Sequence, residues 1–227
     1  MPRRAAVDSP MNSQAVSKLS ATLPYVAPFV LFALITYCGP LLSLPVSIVY
    51  SIKTVAVGAL IVWYWRSYAD EIRWRMDLPA VVAGVLVFVV WVGLEGHYPQ
   101  LGSTSAAAAG SAPAYGNVGF LVVRMIGAVL VVPVMEELFW RSFALRFLID
   151  SNFKNVPLGR FAWFSFVAVS VAFGLEHHRW LPGIVAGAIY AAVLYRTKNL
   201  FSPVLAHAVT NLLLGIYVIE GGHWTYW

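Results

Sequence analysis

Seven apolar segments follow one another along this chain of 227 residues, and they constrain its fold more than any other feature. Hydrophobic residues make up 60% of the sequence and charged residues only 11%. A helix of about 20 apolar residues spans a bilayer, so the pattern predicts an all-α, polytopic membrane helical bundle with about seven transmembrane helices and excludes a soluble domain. The predicted spans are residues 24–42, 46–65, 79–96, 118–149, 161–178, 182–196 and 199–220.

The regions between and around the spans predict the domain organisation. Residues 1–22 are polar and predict a flexible cytoplasmic N-terminus, which precedes a transmembrane domain over 23–220 and a short tail over 221–227. Residues 101–116 are small and of low complexity, which is typical of a flexible loop. The stretch Pro40–Pro45 predicts a tight turn between the first two spans.

Basic residues predict the orientation. Cytoplasmic loops of membrane proteins are rich in lysine and arginine, and a cytoplasmic N-terminus puts eleven basic residues on that side and only Arg179 outside. The net charge of +5 is therefore attributed to topology and not to nucleic acid binding, because no basic patch is interleaved with aromatic residues. The eleven are Arg3, Arg4, Lys18, Arg66, Arg73, Arg75, Arg146, Lys154, Arg160, Arg196 and Lys198.

Three ionisable residues interrupt the fourth apolar segment: Glu136, Glu137 and Arg141. Each charge near the bilayer centre costs about 2.5–3.5 kcal/mol on insertion scales. Glu137 and Arg141 are spaced i, i+4 on one helix face and can pair, while Glu136 points elsewhere and can act as a general base. A purely structural ion pair is the alternative, but packing needs only one of the two glutamates.

Two further polar clusters lie in later apolar segments. His177 and His178 end the fifth segment, where a histidine is often an interfacial or capping residue, and either ring could instead serve the buried glutamates. His207 and Asn211 share one face of the seventh segment. They could hold an oxyanion, or bond neighbouring helices together.

Together these clusters supply a base, an imidazole and a pair of hydrogen-bond donors, which suits attack of an activated water on a carbonyl. A zinc ion held by Glu136, His177 and His207 is the alternative. The sequence has no His-Glu-x-x-His motif, and a cation at Arg141 opposes metal binding nearby, so we expect no cofactor.

Three motifs in order across successive spans resemble the CAAX prenyl endopeptidase and bacteriocin-processing family of intramembrane proteases, over about residues 118–215. The resemblance implies that Glu136 activates water with help from His177, that Glu137 and Arg141 support the site, and that His207 and Asn211 stabilise the oxyanion. The motifs are Glu136-Glu137-x-x-x-Arg141, Phe173-x-x-x-His177 and His207-x-x-x-Asn211.

The first two spans are also similar to the bacterial branch of that family associated with exosortase and PEP-CTERM sorting, through Pro24-Tyr-Val-Ala-Pro28 and Pro40. This implies an integral protein of the bacterial inner membrane. Its partners would be the lipid bilayer and a membrane-associated protein or peptide substrate, prenylated or not, and no nucleic acid.

Two other functions compete with this hypothesis. One is a non-catalytic membrane partner of the same fold, such as an immunity, sorting or chaperone protein, although all motif residues are present. The other is a small transporter or proton relay built on the buried glutamate and histidine residues. Transporters typically carry inverted repeats or paired half-helices, and the sequence shows neither.

The predicted orientation can be tested with reporter fusions at residues 72 and 108. We expect residue 72 to report the cytoplasm and residue 108 the outside, because the basic residues fall on one side of the membrane. A cytoplasm-active fluorescent protein and an externally active phosphatase measure this. If both positions report the same side, the number of spans is wrong.

Overall fold

A computed structural model describes residues 10–102 and 115–227, and within them the chain is a bundle of seven long helices without strands. Short 3₁₀ turns complete the connections. The helices are α1 (Pro10–Cys38), α2 (Val46–Trp63), α3 (Leu78–Gly93), α4 (Val118–Phe147), α5 (Trp163–Leu175), α6 (Trp180–Thr197) and α7 (Phe201–Gly221).

Each predicted span corresponds to one helix, which confirms the all-α membrane bundle. Four of the helices, α1, α2, α4 and α7, are long and apolar enough to cross a membrane on their own. The predicted turn over Pro40–Pro45 begins with a 3₁₀ segment at Gly39–Leu42. Most of the predicted loop over 101–116 lies outside the described residues.

One boundary differs from the prediction. Helix α1 begins at Pro10, so residues 10–22 of the segment predicted to be flexible are helical. Proline fits the first turn of a helix because its missing N–H would have no helical partner there. Polar residues are common in exposed helices, so the polarity of this stretch does not exclude a helix.

Burial in this bundle is the reverse of that in a soluble protein. Large apolar side chains such as Trp63, Leu41 and Val62 are exposed around its perimeter. Charged side chains such as Glu137 and Arg141 are fully buried inside it. An apolar perimeter suits contact with lipid, whereas a soluble fold would expose its charged residues. The chain is an integral membrane protein.

The connecting segments gather at two ends of the bundle, as the alternation of spans predicts. The α2–α3, α4–α5 and α6–α7 loops share one end, here called the basic end, where the backbone N–H of Arg73 donates to Asn199 at 2.8 Å. The α3–α4 and α5–α6 loops and the C-terminal tail share the opposite end. There Arg179 pairs with Glu95 at 2.7 Å.

Helix α4 changes its winding twice, on either side of the two glutamates. Gly127–Val131 and Leu138–Ala144 are π-helical, and Val132–Glu137 between them is α-helical. Pro133 lacks an N–H and would clash with the carbonyl one turn earlier in a regular α-helix. The wider turn before it accommodates the proline, and such π segments are frequent at functional sites.

Small residues let helices α5 and α6 approach closely beside α4. A Cβ atom added at Gly183 would lie 2.9 Å from the Cα of Gly174, and one at Gly187 would lie 3.0 Å from the carbonyl oxygen of Ser170. Backbones can meet in this way only where both sides are small, which is typical of helix packing in membranes. The close approach carries Phe173 and Tyr190 towards α4.

A carboxylate at the basic end joins three parts of the chain. Glu71 accepts hydrogen bonds from Tyr25 at 2.9 Å and from Arg146 at 2.9 Å, and it pairs with Lys154 at 3.1 Å. Ser142 also donates to it. Burial opposes ionisation, but the charge of Arg146, the Ser142 hydrogen bond and the charge of Lys154 hold the pKa of Glu71 below its usual value.

We expect Glu71→Gln to destabilise the protein by about 3 kcal/mol, because it leaves the buried charge of Arg146 without its partner. The lowered pKa means that this stabilisation is present above the unfolded pKa of about 4.3 and is lost as the pH falls through the folded pKa. Thermal unfolding in detergent micelles measures the change. The exposed neighbour Asp70 is the matched control, and an equal loss in Asp70→Asn would refute the role of Glu71.

Candidate active site

Four of the six sequence-predicted site residues line one cavity of about 350 Å³ within the bundle: Glu136, His177, His207 and Asn211. They come from α4, from the segment that directly follows α5 and from α7, so only the packing of the three helices brings them together. Ligand pockets typically measure about 300–1,000 Å³. The cavity is large enough for a small part of a substrate.

Glu136 is buried at 4% exposure at the wall of this cavity. Its Oε2 atom is buried and, among the described residues, has no hydrogen-bond partner. The nearest basic group is His207, whose Nε2 lies 4.0 Å from Oε2. A buried carboxylate oxygen without a protein partner is available to bind a water or a substrate group.

Glu137 and Arg141 do not line the cavity but lie directly behind it, both fully buried. The predicted ion pair forms, with Nε of Arg141 3.0 Å from Oε2 of Glu137. The contact is close, but its angle does not make a directed hydrogen bond, since neither atom is satisfied by one within the described residues. The pair therefore acts mainly through charge.

Two aromatic rings complete the surroundings of Arg141. The centre of its guanidinium lies 4.2 Å from the ring centroid of Phe173 and 5.3 Å from that of Tyr190. Such cation–π contacts are worth about 2 kcal/mol when water is excluded. This contact explains why Phe173 belongs to the motif, because its ring stabilises the cation that pairs with Glu137.

His177 and His178 point to different places. Nδ1 of His177 lies 2.8 Å from the carbonyl oxygen of Phe173, and a carbonyl can only accept, so Nδ1 carries the proton. In the neutral ring Nε2 is then an acceptor. Nδ1 of His178 lies 2.7 Å from the carbonyl oxygen of Leu101 in the α3–α4 loop. His178 does not line the cavity.

His207 connects the two glutamates. Its Nδ1 lies 3.0 Å from Oε1 of Glu137, and its Nε2 faces Glu136. Tyr190 stacks on the imidazole with 5.0 Å between the ring centroids and 20° between the planes. The Tyr190 hydroxyl donates to Thr210 at 2.7 Å. The stacked ring of Tyr190 therefore fixes the plane of the imidazole, and the contact with Glu137 fixes its position.

Asn211 lies one turn beyond His207 on α7 and faces α4. Its Nδ2 atom donates one N–H to the carbonyl oxygen of Ala128, at 2.8 Å. Ala128 lies in the first π-helical segment of α4. The side-chain amide has a second N–H, which is left for another acceptor in the cavity.

Sequence reasoning missed several residues of the site. Tyr190 carries no motif, and only its contacts with Arg141 and His207 reveal it. Trp140 donates its indole N–H to Glu176 at 3.0 Å, which brings another carboxylate near the site. Lys53 and Arg124 also line the cavity, and their charges inside predicted spans were the available signal.

A zinc site needs several ligands that converge on one point. Within residues 10–102 and 115–227, no group of three or more His, Cys, Asp and Glu side chains is placed to hold a metal ion. Nδ1 of His207 faces Glu137, and Arg141 puts a positive charge directly behind the site. The described residues do not fit a metal centre.

Comparisons with known proteins gave one match. The family model for type II CAAX prenyl endopeptidases, Rce1-like, matches residues 118–213. This segment runs from the start of α4 into α7 and contains all three motifs. No curated protein and no solved structure matches the chain. The match begins after the first three helices, so the resemblance of α1 and α2 to the exosortase-associated branch stays a prediction.

Proposed function

Since residues 118–213 belong to the type II CAAX prenyl endopeptidase Rce1-like family, we propose that the protein is an intramembrane endopeptidase that hydrolyses a peptide bond of a membrane-associated protein. The family is a protease family whose substrates are membrane-associated proteins. The main support is Oε2 of Glu136, which has no hydrogen-bond partner within the described residues and borders a cavity shared with His177, His207 and Asn211.

In the first step, Glu136 and His177 activate the attacking water. Glu136 accepts one proton of the water. Nε2 of His177 accepts a hydrogen bond from the other O–H, since Nδ1 already donates to Phe173. The water oxygen then bonds to the carbonyl carbon of the substrate. A carboxylate and a neutral imidazole together orient the lone pair of the water towards that carbon.

In the second step, two hydrogen-bond donors stabilise the oxyanion that forms on the carbonyl oxygen of the substrate. The free N–H of Asn211 and Nε2 of His207 are the donors that face the cavity. Because Nδ1 of His207 is engaged by Glu137, Nε2 donates when both ring nitrogens carry protons. The C–N bond then breaks, and Glu136 returns its proton to the leaving amine, so that it acts first as base and then as acid.

Glu137 and Arg141 are positioning residues in this scheme. Glu137 holds His207, and Arg141 balances the charge of Glu137 in a region of low dielectric. Neither touches the cavity. An isolated buried charge would be costly at this depth, so each partner of the pair stabilises the other beside the ring that Glu137 orients.

Access to the site comes from the end opposite the basic loops. The cavity extends from Glu136 to Tyr226 and Trp227 of the C-terminal tail, and no residue of the basic-end loops lines it. With the N-terminus in the cytoplasm of a bacterial cell, this opening faces the outer side of the inner membrane. The substrate would then be a membrane protein segment reached from that side.

A non-catalytic protein of the same fold is the second candidate. Its specific support is the fully buried Glu137–Arg141 pair, which would serve packing equally well. Oε2 of Glu136, which lacks a hydrogen-bond partner in the described part of the chain, favours catalysis instead, because a packing role leaves no reason for a second buried carboxylate. Comparative membrane proteomics of wild-type and Glu136→Gln cells separates the two, since only a protease leaves uncut substrate in the variant.

We expect Glu136→Ala and His177→Ala each to abolish cleavage while the protein still inserts and folds, because each removes one contact of the water. The assay is cleavage, in phospholipid vesicles, of a substrate segment identified by proteomics. His178→Ala is the matched control and should retain most activity, since that ring bonds the α3–α4 loop. An inactive His178→Ala with an active His177→Ala would show that the wrong imidazole was chosen.

Asn211→Ala should lower kcat by about 10²–10³ with little change in KM, which is the typical loss of one oxyanion donor. Asn211→Asp should be at least as harmful, because it places a negative charge beside a developing one. Steady-state kinetics in vesicles measure both. An Asn211→Asp enzyme of normal rate would rule out the oxyanion role.

Exhaustive treatment with a strong chelator should leave activity intact, and metal analysis should find far less than one zinc per chain. The reason is that Glu136 deprotonates the water directly in the proposed route. Activity that is lost on chelation and restored by zinc would make His207 a ligand and replace this mechanism.

A further inference from the structure

A second cavity, of about 490 Å³, lies at the basic end of the bundle, where the α2–α3 segment meets the α6–α7 loop. It shares no lining residue with the cavity of Glu136. Its lining residues are polar or charged, which suits a polar ligand: Arg73, Arg75, Asp77, Arg196, Thr197, Asn199 and Ser202.

The second cavity carries more positive than negative charge, since three arginines and one aspartate line it. The carboxylate of Asp77 is already engaged. It accepts a hydrogen bond from the hydroxyl of Ser202 at 2.8 Å and another from the backbone N–H of Ala80 at 3.4 Å. Asp77 forms no ion pair with an arginine in the described part of the chain. The charges of the arginines are therefore left for another partner.

Two of the arginines keep all their hydrogen-bond donors. Within residues 10–102 and 115–227, the guanidinium groups of Arg75 and Arg196 form neither an ion pair nor a hydrogen bond. Arg73 uses only its Nη2 atom, which donates to the carbonyl oxygen of Lys198 at 3.1 Å. A guanidinium offers five N–H donors in a planar fork that matches two oxygens of one anion. The cavity is thus equipped to bind a phosphate.

The two chain segments that form the cavity are fixed to each other by Asn199, which is buried. Its Oδ1 atom accepts from the backbone N–H of Arg73 at 2.8 Å, and its Nδ2 atom donates to the carbonyl oxygen of Arg73 at 2.8 Å. The backbone N–H of Leu200 donates to the carbonyl oxygen of Glu71 at 2.9 Å. Because the walls are held in place before a ligand binds, binding costs little ordering of the backbone.

The α2–α3 segment alternates between charged and apolar side chains. It is extended where it meets α3, and successive side chains of an extended chain point to opposite sides. Arg73 and Arg75 line the cavity, whereas Trp74 and Met76 are exposed at 76% and 81%. Trp74 packs on Phe201 at the start of α7, with 4.9 Å between the ring centroids. The segment thus has a charged side next to an exposed apolar side.

The exposed apolar side favours a lipid over a soluble phosphate as the ligand. Tryptophan is typical of the membrane–water interface, and the phosphates of a bilayer lie in the layer where spanning helices end. A soluble anion would contact only the arginines and leave Trp74 and Met76 in water. A zwitterionic lipid brings its own cation, which the arginines would repel, and an anionic lipid does not.

We propose that this second cavity binds the phosphate of an anionic phospholipid, with Arg75 and Arg196 as its main ligands. We call it the headgroup site. It does not depend on the proposed protease function, because its residues do not line the active-site cavity and lipid binding requires no cleavage. Arg73 and Arg75 lie outside the segment that matches the family, so nothing in that match assigns the site.

The test is lipid binding by the full-length protein in zwitterionic detergent micelles, titrated by native mass spectrometry. The probes are phosphatidylglycerol and phosphatidylcholine with the same acyl chains. We expect phosphatidylglycerol to bind roughly 5–30-fold more tightly, because each basic residue near an anionic headgroup contributes about 5-fold and the cavity has one to two uncompensated cations. Inorganic phosphate at millimolar concentration should not displace the lipid more than sodium chloride of the same ionic strength does.

Variants assign the preference to the headgroup site. Arg75→Gln and Arg196→Gln should each lower the affinity for phosphatidylglycerol about 5-fold, and the double variant about 25-fold, without changing the affinity for phosphatidylcholine. Arg196→Lys should keep most of the affinity. The matched control is Arg160→Gln, because Arg160 is an exposed arginine of the α4–α5 loop at the same end and does not line the cavity.

Thermal unfolding without added lipid verifies that each variant is folded. We expect no change, because neither Arg75 nor Arg196 has a side-chain partner within the described residues. Should the double variant not fold, the two single variants carry the test.

Four results would overturn the proposal. Equal affinities for the two lipids would do so, as would a preference for phosphatidylglycerol that survives in the double variant. An equal loss in Arg160→Gln would assign the preference to the general positive charge of the basic end. Displacement of the lipid by inorganic phosphate, but not by sodium chloride, would identify a soluble phosphate as the ligand and refute the lipid.

Discussion

The buried ion pair between Glu137 and Arg141 is the interaction on which the rest of the site depends. Removing one partner of such a pair typically costs about 3–5 kcal/mol, because the other charge stays buried alone. Phe173 and Tyr190 contact the guanidinium, and Glu137 contacts His207. Helices α5, α6 and α7 thus all meet the pair on α4, and the geometry of the cavity wall follows from where that pair lies.

The irregular winding of α4 explains how one helix can carry two adjacent glutamates with different surroundings. The π-helical segments on either side of Val132–Glu137 offset its faces from those of a regular helix. Glu136 borders the cavity while Glu137 lies behind it. The first π-helical segment accommodates Pro133. It also contains Ala128, whose carbonyl oxygen accepts the hydrogen bond from the side-chain amide of Asn211. The irregular winding of the backbone and the geometry of the site are therefore the same feature.

The proposed chemistry depends on the electrostatics of the cavity. Glu136, Lys53 and Arg124 line the cavity, and aromatic and apolar side chains line most of the rest. Low dielectric strengthens each charge interaction and makes each unpartnered charge costly.

The sequence by itself determined the number of helices, the two ends of the bundle and the pairing of Glu137 with Arg141, because hydrophobicity, loop charge and i, i+4 spacing are local properties. It also indicated the residues of the three motifs, through their resemblance to a family. Only the tertiary structure decided that Tyr190 supports His207 and that Lys53 faces the same cavity as Glu136. The polarity of residues 10–22 also did not predict that α1 begins at Pro10. Contacts between helices depend on the rotation and depth of each helix in the bundle, and packing of small residues such as Gly174 and Gly183 sets both.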